Sequence, residues 1–284
     1  MSLSNFTPYS VRVGKRSGNF DIDAFKDVFV GIYKNFLDKS YFCEYFGYYC
    51  VDQGFVQGKL GKNIESYFLR KLKKRNLWPI IENIPEYSED DLFDVIELLF
   101  HCISKPLEGG ATYHSFNDCG WHYKNFAKGL GWYEYQQSMN EILKDYGEGY
   151  EISRDGEIIL LGPSGLHNIL ESEVPKYKGT DVDIIISNAI KKFRNRSSSI
   201  DDKKSVVRDL ADCFEQIRGN LKSVISTKDE ADLFNIANNF GIRHKNNQQK
   251  DKYDRDIWLS WMFYFYLSTL HATIRLLNKH QTKL

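Results

Sequence analysis

The sequence predicts a mainly α protein of two helical domains with one small β-hairpin, on three observations. Apolar residues recur at three- and four-residue spacing through most of the 284 residues. Aromatic residues make up 15% of the chain, with 19 Phe and 18 Tyr, and such side chains bring the large buried area that tight helix packing uses. One stretch, YEISRDGEIILL, departs from this texture: Ile152, Ile158 and Leu160 flank Asp155-Gly156, a pair suited to a type I′ turn, which predicts the hairpin. With only six prolines the chain resembles neither a turn-rich sandwich nor a disordered segment.

The elements follow in order. Residues 1–20 look irregular, with Val11 and Val13 about Arg12 as a short strand. Asp21–Lys39 is the first clear helix, carrying Phe25, Val28, Phe29, Ile32, Phe36 and Leu37 at helical spacing. SYFCEYFGYYCVDQG reads as an aromatic, mostly buried helix closed by Gly54. In GKNIESYFLRKLKKRNLW, Asn63 suits an N-cap and Pro79 ends the pattern. Ser88 followed by Asp91 makes an approximate capping box ahead of Leu92, Val95, Ile96 and Leu99. After a break at Glu108–Ala111, helices are expected over Asn117–Ala127 and Trp132–Tyr146, then the hairpin. PSGLHNILESEVPKYKGTD reads as a linker, which divides the chain into an N-terminal domain, 1–165, and a C-terminal domain, 180–284. The latter is expected to hold four helices: Asp181–Arg196 and Asp201–Ile225, with Ser199 as the cap of the second, then Lys228–Phe240 and Asp254–Lys279.

Composition narrows the function. The formal net charge is zero, so no overall basic field draws nucleic acid. From Asp181 onward, however, 18 Lys and Arg stand against 13 Asp and Glu, a balance that permits an RNA partner. Five irregularly spaced cysteines outside any CxxC pair, and no secretory signal in MSLSNFTPYS, point to free thiols and a cytoplasmic protein. IWLSWMFYFYLSTLHATI has no charged residue, but it is short for a membrane span and is interrupted by hydroxyls and His271; a buried core helix is expected, with no membrane partner. No GxxxxGK[ST] stretch suggests nucleotide hydrolysis.

Charge, imidazole and amides converge in one place, NNFGIRHKNNQQKDKYD, directly before the most aromatic helix. Cutting RNA without a metal requires a base for the 2′-hydroxyl, a positive clamp on the phosphorane and an acid for the leaving 5′-oxygen. Arg243 suits the clamp through its two-pronged guanidinium, and His244 titrates near neutral pH. Asn239, Asn246 and Asn247 can orient nucleotide oxygens or amides. On the last helix Tyr264, Ser268, His271 and Arg275 share a face, so His271 can supply a second imidazole and Arg275 a further RNA contact. The plain alternative is that the loop caps helices and that the stripe is solvated or holds one buried histidine. RKLKKR, Arg70–Arg75, reads either as a solvated basic face or as an RNA or autoinhibitory contact. His114, Cys119 and His122, with His101 and Cys102 upstream, are the only metal-like cluster. Their H-x4-C-x2-H spacing matches no common zinc pattern, so no metal and no cofactor are expected; Cys119 beside His122 otherwise reads as a partly buried thiol.

The segment DLFNIANNFGIRHKNNQQKDKYDRDIWLSWMFYFYLSTLHATIRLL resembles the C-terminal segments of abortive-infection-type proteins of the HEPN class (higher eukaryotes and prokaryotes nucleotide-binding). MNEILKDYGEGYEISRDGEIILL is similar to the helix-then-hairpin end of the N-terminal domains of J-type abortive-infection proteins. The resemblance implies a C-terminal HEPN-like four-helix bundle and a phage-defence toxin that cleaves RNA without metal, as a homodimer with facing motifs, in some cases under a regulatory protein partner. Arg243 matches the leading arginine of the class motif and His244 the polar position after it. No histidine stands from Asn247 to Lys250, where the motif's second residue falls, and this leaves a second expectation: a non-catalytic scaffold that binds a partner protein or RNA.

Overall fold

The computed structural model describes residues 6–163, 165–239, 242 and 254–281. The chain is mainly helical with small two-stranded sheets, and it divides into two compact units, Met1–Ile159 and Leu160–Leu284.

The first unit is built on three long helices: α2 (Ile22–Asp38), α6 (Glu89–Cys102) and α7 (Lys128–Leu143), with α1 (Tyr9–Arg12), α3 (Cys43–Phe46), α4 (Ile64–Leu72) and α5 (Ile80–Asn83) as shorter pieces. Each start has a local cause. Asp21 accepts from the Ala24 amide at 2.8 Å, and Asn63 from that of Ser66 at 2.9 Å. Ser88 and Asp91 complete a reciprocal box on α6, and the Lys74 ammonium lies 2.6 Å from the Asp91 carboxylate. Inside, Phe25, Phe29, Leu92, Val95, Ile96 and Tyr135 are withdrawn from solvent, and Phe25 stacks on Tyr146 at 4.4 Å between centroids. Gly131 lets α7 approach the neighbouring strand: a Cβ there would stand 2.6 Å from the Ser104 Cα.

Four two-stranded sheets occur among the described residues, where one hairpin was expected: β1 (Tyr48–Cys50) with β2 (Gly54–Val56), β3 (Lys105–Pro106) with β6 (Phe126–Ala127), β4 (Thr112–His114) with β5 (Gly120–His122), and β7 (Tyr150–Ile152) with β8 (Ile158–Leu160). The predicted hairpin is the last of these, but its turn differs. Only Gly156 takes positive φ (+91°), its amide donating to the Ser153 carbonyl at 3.0 Å, so Arg154 and Asp155 form the corner and the type I′ turn is not made.

Three other expectations change for physical reasons. Val11 lies in the single turn of α1 rather than in a strand. The helix expected from SYFCEYFGYYCVDQG stops at Phe46, because Gly47 turns at φ +82° so close to the Val56 carbonyl that no Cβ would fit; the chain then folds back as β1 and β2. Asn117–Ala127 is not a helix: Asn117 and Asp118 both take left-handed φ (+49° and +50°), which ends any right-handed run, and β5 and β6 follow.

The second unit holds α8 (His167–Glu171), inside the expected linker, then α9 (Val182–Arg194), α10 (Ile200–Leu221), α11 (Thr227–Asn239) and α12 (Arg255–Gln281). Ser199 and Asp202 form the capping box of α10, and the hydroxyl and amide of Ser199, with the Lys192 ammonium, hold the Asp202 carboxyl down to about 2. Helix α10 packs on α9 and α12, with Val206, Leu210, Phe214 and Ile217 facing the core and Phe263, Leu267, Leu270 and Ile274 entering it from α12. Phe193 lies flat on Phe263, centroids 3.8 Å apart. The segment weighed above as a membrane span is thus a core helix, and among the described residues no helix is long and apolar enough to cross a membrane.

Candidate functional site

The two candidate regions fare differently. Of the residues read as an RNA site, Arg243, His244, Asn246 and Asn247 lie outside the described residues. Asn239 is the last residue of α11. The chain between α11 and α12 is nevertheless anchored at one described point: Ile242 is completely buried, and its carbonyl accepts from the Arg208 Nε of α10 at 2.9 Å. The backbone immediately before Arg243 is therefore held by a charge-assisted bond and by apolar packing.

The stripe on α12 is not uniformly solvated. Tyr264 and His271 are buried, whereas Ser268 and Arg275 are exposed. His271 is 3% exposed, and neither ring nitrogen has a hydrogen-bond partner among the described residues. Burial, and secondarily the charge of Arg275, lowers its pKa. Among the described residues no carbonyl plays the partner that a purely structural buried histidine would normally have, and such an orphaned group calls for an explanation. Beside the stripe, Trp261, Tyr264 and Phe265 line an apolar groove of 540 Å³ with Pro163, Leu166 and Ile169.

The basic run RKLKKR is partly used by the fold. Arg70 lies over the Tyr67 ring at 5.4 Å, Lys74 serves the Asp91 box, and Phe68 and Trp78 pack on one another instead of presenting a stacking surface.

The second region is in the first unit, where the sheets bring one distant side chain to three from a single short segment. Cys50 ends β1, His114 ends β4, His122 ends β5, and Cys119 sits in the turn between β4 and β5. One donor atom from each can be chosen so that all four lie within 4.8 Å of one another. The Cys119 Sγ is 3.2 Å from the His122 Nε2, and the Cys50 Sγ is 3.9 Å from the His114 Nδ1. The register explains the pairing: His114 stands opposite Gly120 and His122 opposite Thr112, so both imidazoles project from one face, while Tyr113 and Trp121 pair on the other and are exposed. The turn that delivers Cys119 runs through Asn117 and Asp118 in the left-handed region, which these two residue types tolerate better than other non-glycine residues, and through Gly120 at φ +91°. The Asp52 carboxylate lies 3.0 Å from the His114 Nε2, on the side of the ring away from Cys50.

The expectation of no metal rested on a spacing of three residues that matches no common site. The fold supplies a fourth donor, Cys50, which sequence reading missed because its strand was taken as helix. The signal present was Asp52-Gln53-Gly54, a turn directly after an aromatic run ending in Cys50. His101 and Cys102, weighed with this cluster, do not join it. The Cys102 thiol is instead pushed up to about 12 by burial, as is that of Cys213, and none of the five cysteines is in a disulfide.

No family model matches the sequence, and no curated protein and no solved structure is significantly similar to it.

Proposed function

We propose that the chain is an RNA-directed effector of abortive-infection type, with α9–α12 forming a HEPN-like bundle and the segment from Arg243 acting as a metal-independent ribonuclease site in a homodimer. The observation that carries this reading is the anchorage of Ile242. A phosphate clamp gains from a fixed backbone, and here the residue before Arg243 is buried and tied to α10 through Arg208. Arg243 holds the scissile phosphate and neutralises charge on the phosphorane. His244 of one copy takes the 2′-hydroxyl proton and the partner copy's imidazole protonates the leaving 5′-oxygen, which leaves a 2′,3′-cyclic phosphate. Asn239, Asn246, Asn247 and Arg275 hold nucleotide oxygens and flanking phosphates. His271, a buried imidazole of lowered pKa whose nitrogens have no hydrogen-bond partner among the described residues, joins as an acid–base group once the site is filled. The setting is the cytoplasm, with a protein partner restraining the activity.

A second reading has its own observation. His271 is only 3% exposed, and no histidine occurs from Asn247 to Lys250, which fits a scaffold that binds RNA or a partner protein without turnover.

The test is incubation of the purified protein with end-labelled transfer RNA and mixed single-stranded RNA in metal-depleted buffer, beside Arg243→Ala. Resin-depleted buffer is preferable to a chelator, which would also strip any metal bound in the first unit. Cyclic-phosphate fragments that disappear with Arg243→Ala at unchanged melting temperature are expected. RNA retention without cleavage by a folded dimer would favour the scaffold, and a monomer that neither binds nor cuts would overturn both readings.

A further inference from the structure

We propose that Cys50, His114, Cys119 and His122 bind one zinc ion, which fastens the β1–β2 hairpin to the excursion between β3 and α7. The donor set of two thiols and two imidazoles suits zinc, a borderline-soft ion without a geometric preference of its own. In a tetrahedral site with zinc–sulfur bonds of about 2.3 Å and zinc–nitrogen bonds of about 2.0–2.1 Å, neighbouring donors stand roughly 3.3–3.8 Å apart. The Cys119–His122 and Cys50–His114 separations of 3.2 and 3.9 Å bracket that range, and the 4.8 Å limit over all four leaves roughly an ångström to close.

Two features outside the ligand set point the same way. The Asp52 carboxylate lies 3.0 Å from the His114 Nε2, while the Nδ1 of the same ring faces the Cys50 Sγ at 3.9 Å. A carboxylate behind a ligating imidazole commonly orients metal-bound histidines. The second feature is what else holds this segment. Among the described residues, none from Lys105 to Ala127 is buried, and the strands in this excursion are two or three residues long. A two-residue ladder and an isolated three-residue hairpin are marginal in water, and a cross-link to β1 would reinforce the few bonds, such as Leu107 to Asn125 and Asn125 to Gly109, that otherwise hold the segment. Four protein ligands leave no open position for substrate, which makes the ion a structural staple and not a catalyst.

The experiment uses untagged full-length protein purified without chelator. Elemental analysis is expected to find about one zinc per chain, and replacement by cobalt(II) to give the visible bands of a tetrahedral thiolate-ligated ion. Cys50→Ser and Cys119→Ser are expected to lose the metal and the bands, while Cys43→Ser, outside the cluster, keeps both. Asp52→Asn is expected to keep the metal but weaken it by about 10–100-fold in competition with a chromophoric chelator. Should the cysteine variants fail to fold, zinc added back to chelator-stripped wild-type protein is expected to restore amide-exchange protection between Lys105 and Ala127. Protein with less than about a tenth of an equivalent of any transition metal, and with exchange in that segment unchanged by added zinc, would overturn the proposal. So would a Cys50–Cys119 disulfide in place of the metal.

Discussion

In the second unit Phe263 lies flat on Phe193 inside a core that takes one face each of α9, α10 and α12, whereas between β3 and α7 of the first unit no described residue from Lys105 to Ala127 is buried. The first arrangement is held by area removed from water and distributed over dozens of contacts, so no single side chain determines it. The second has no such area: short ladders, the bonds Asn125 makes with Leu107 and Gly109, and the Cys119–His122 and Cys50–His114 contacts hold it. The difference teaches where to look for chemistry in a chain rich in aromatic core. Side chains that the core does not need, yet which converge from distant segments, are the ones whose placement needs another cause.

Truncation separates the two regimes most sharply. Phe263→Ala removes a fully buried ring from the stack on Phe193 and is expected to destabilise the second unit by about 3–5 kcal/mol, measured by chemical denaturation. Trp121→Ala removes a ring of similar size that is 55% exposed on the outer face of the β4–β5 pair, and should change stability by no more than about 0.5 kcal/mol with the metal content unaltered. A loss above about 2 kcal/mol at Trp121 would mean that the excursion has an apolar hold of its own, and the contrast would collapse.

The sequence was legible where one local rule decides an element. Asn63, Ser88 and Ser199 cap the helices they were expected to cap, and the 3.6-residue period in α2 and α6 marks the faces that become core. It was illegible where glycine and left-handed residues overrule composition. SYFCEYFGYYC is as aromatic as any helix here, but Gly47 must pass the Val56 carbonyl where no side chain fits, and that constraint lies nine residues downstream. Since Cys50 was assigned to a helix, nothing brought it near His114, and the cluster looked one donor short. The opposite held for Arg243 and His244: their residue types were easily seen, while the geometry that would give them a role lies outside the described residues.

His271 sharpens the comparison from inside the core, because it is a group that packing alone does not justify. Both ring nitrogens are buried without partners among the described residues, so an apolar replacement of similar size should relieve an unsatisfied site. His271→Leu is expected to stabilise the second unit by about 1 kcal/mol at pH 7.5. The gain should widen on acidification, since the pKa is lowered in the folded chain. Below about pH 6.5 the unfolded chain binds a proton that the folded ring resists, so wild-type stability falls as pH drops while the variant lacks that contribution. Denaturation curves at pH 7.5 and 5.5 for the two proteins measure the difference of differences; equal slopes would mean that the ring meets solvent or a partner after all. The same variant bears on function. If the imidazole serves RNA cleavage, His271→Leu becomes more stable and less active together, as when a strained catalytic group is removed. If cleavage survives in the stabilised variant, His271 has no part in the reaction, and the acid–base work must rest with His244.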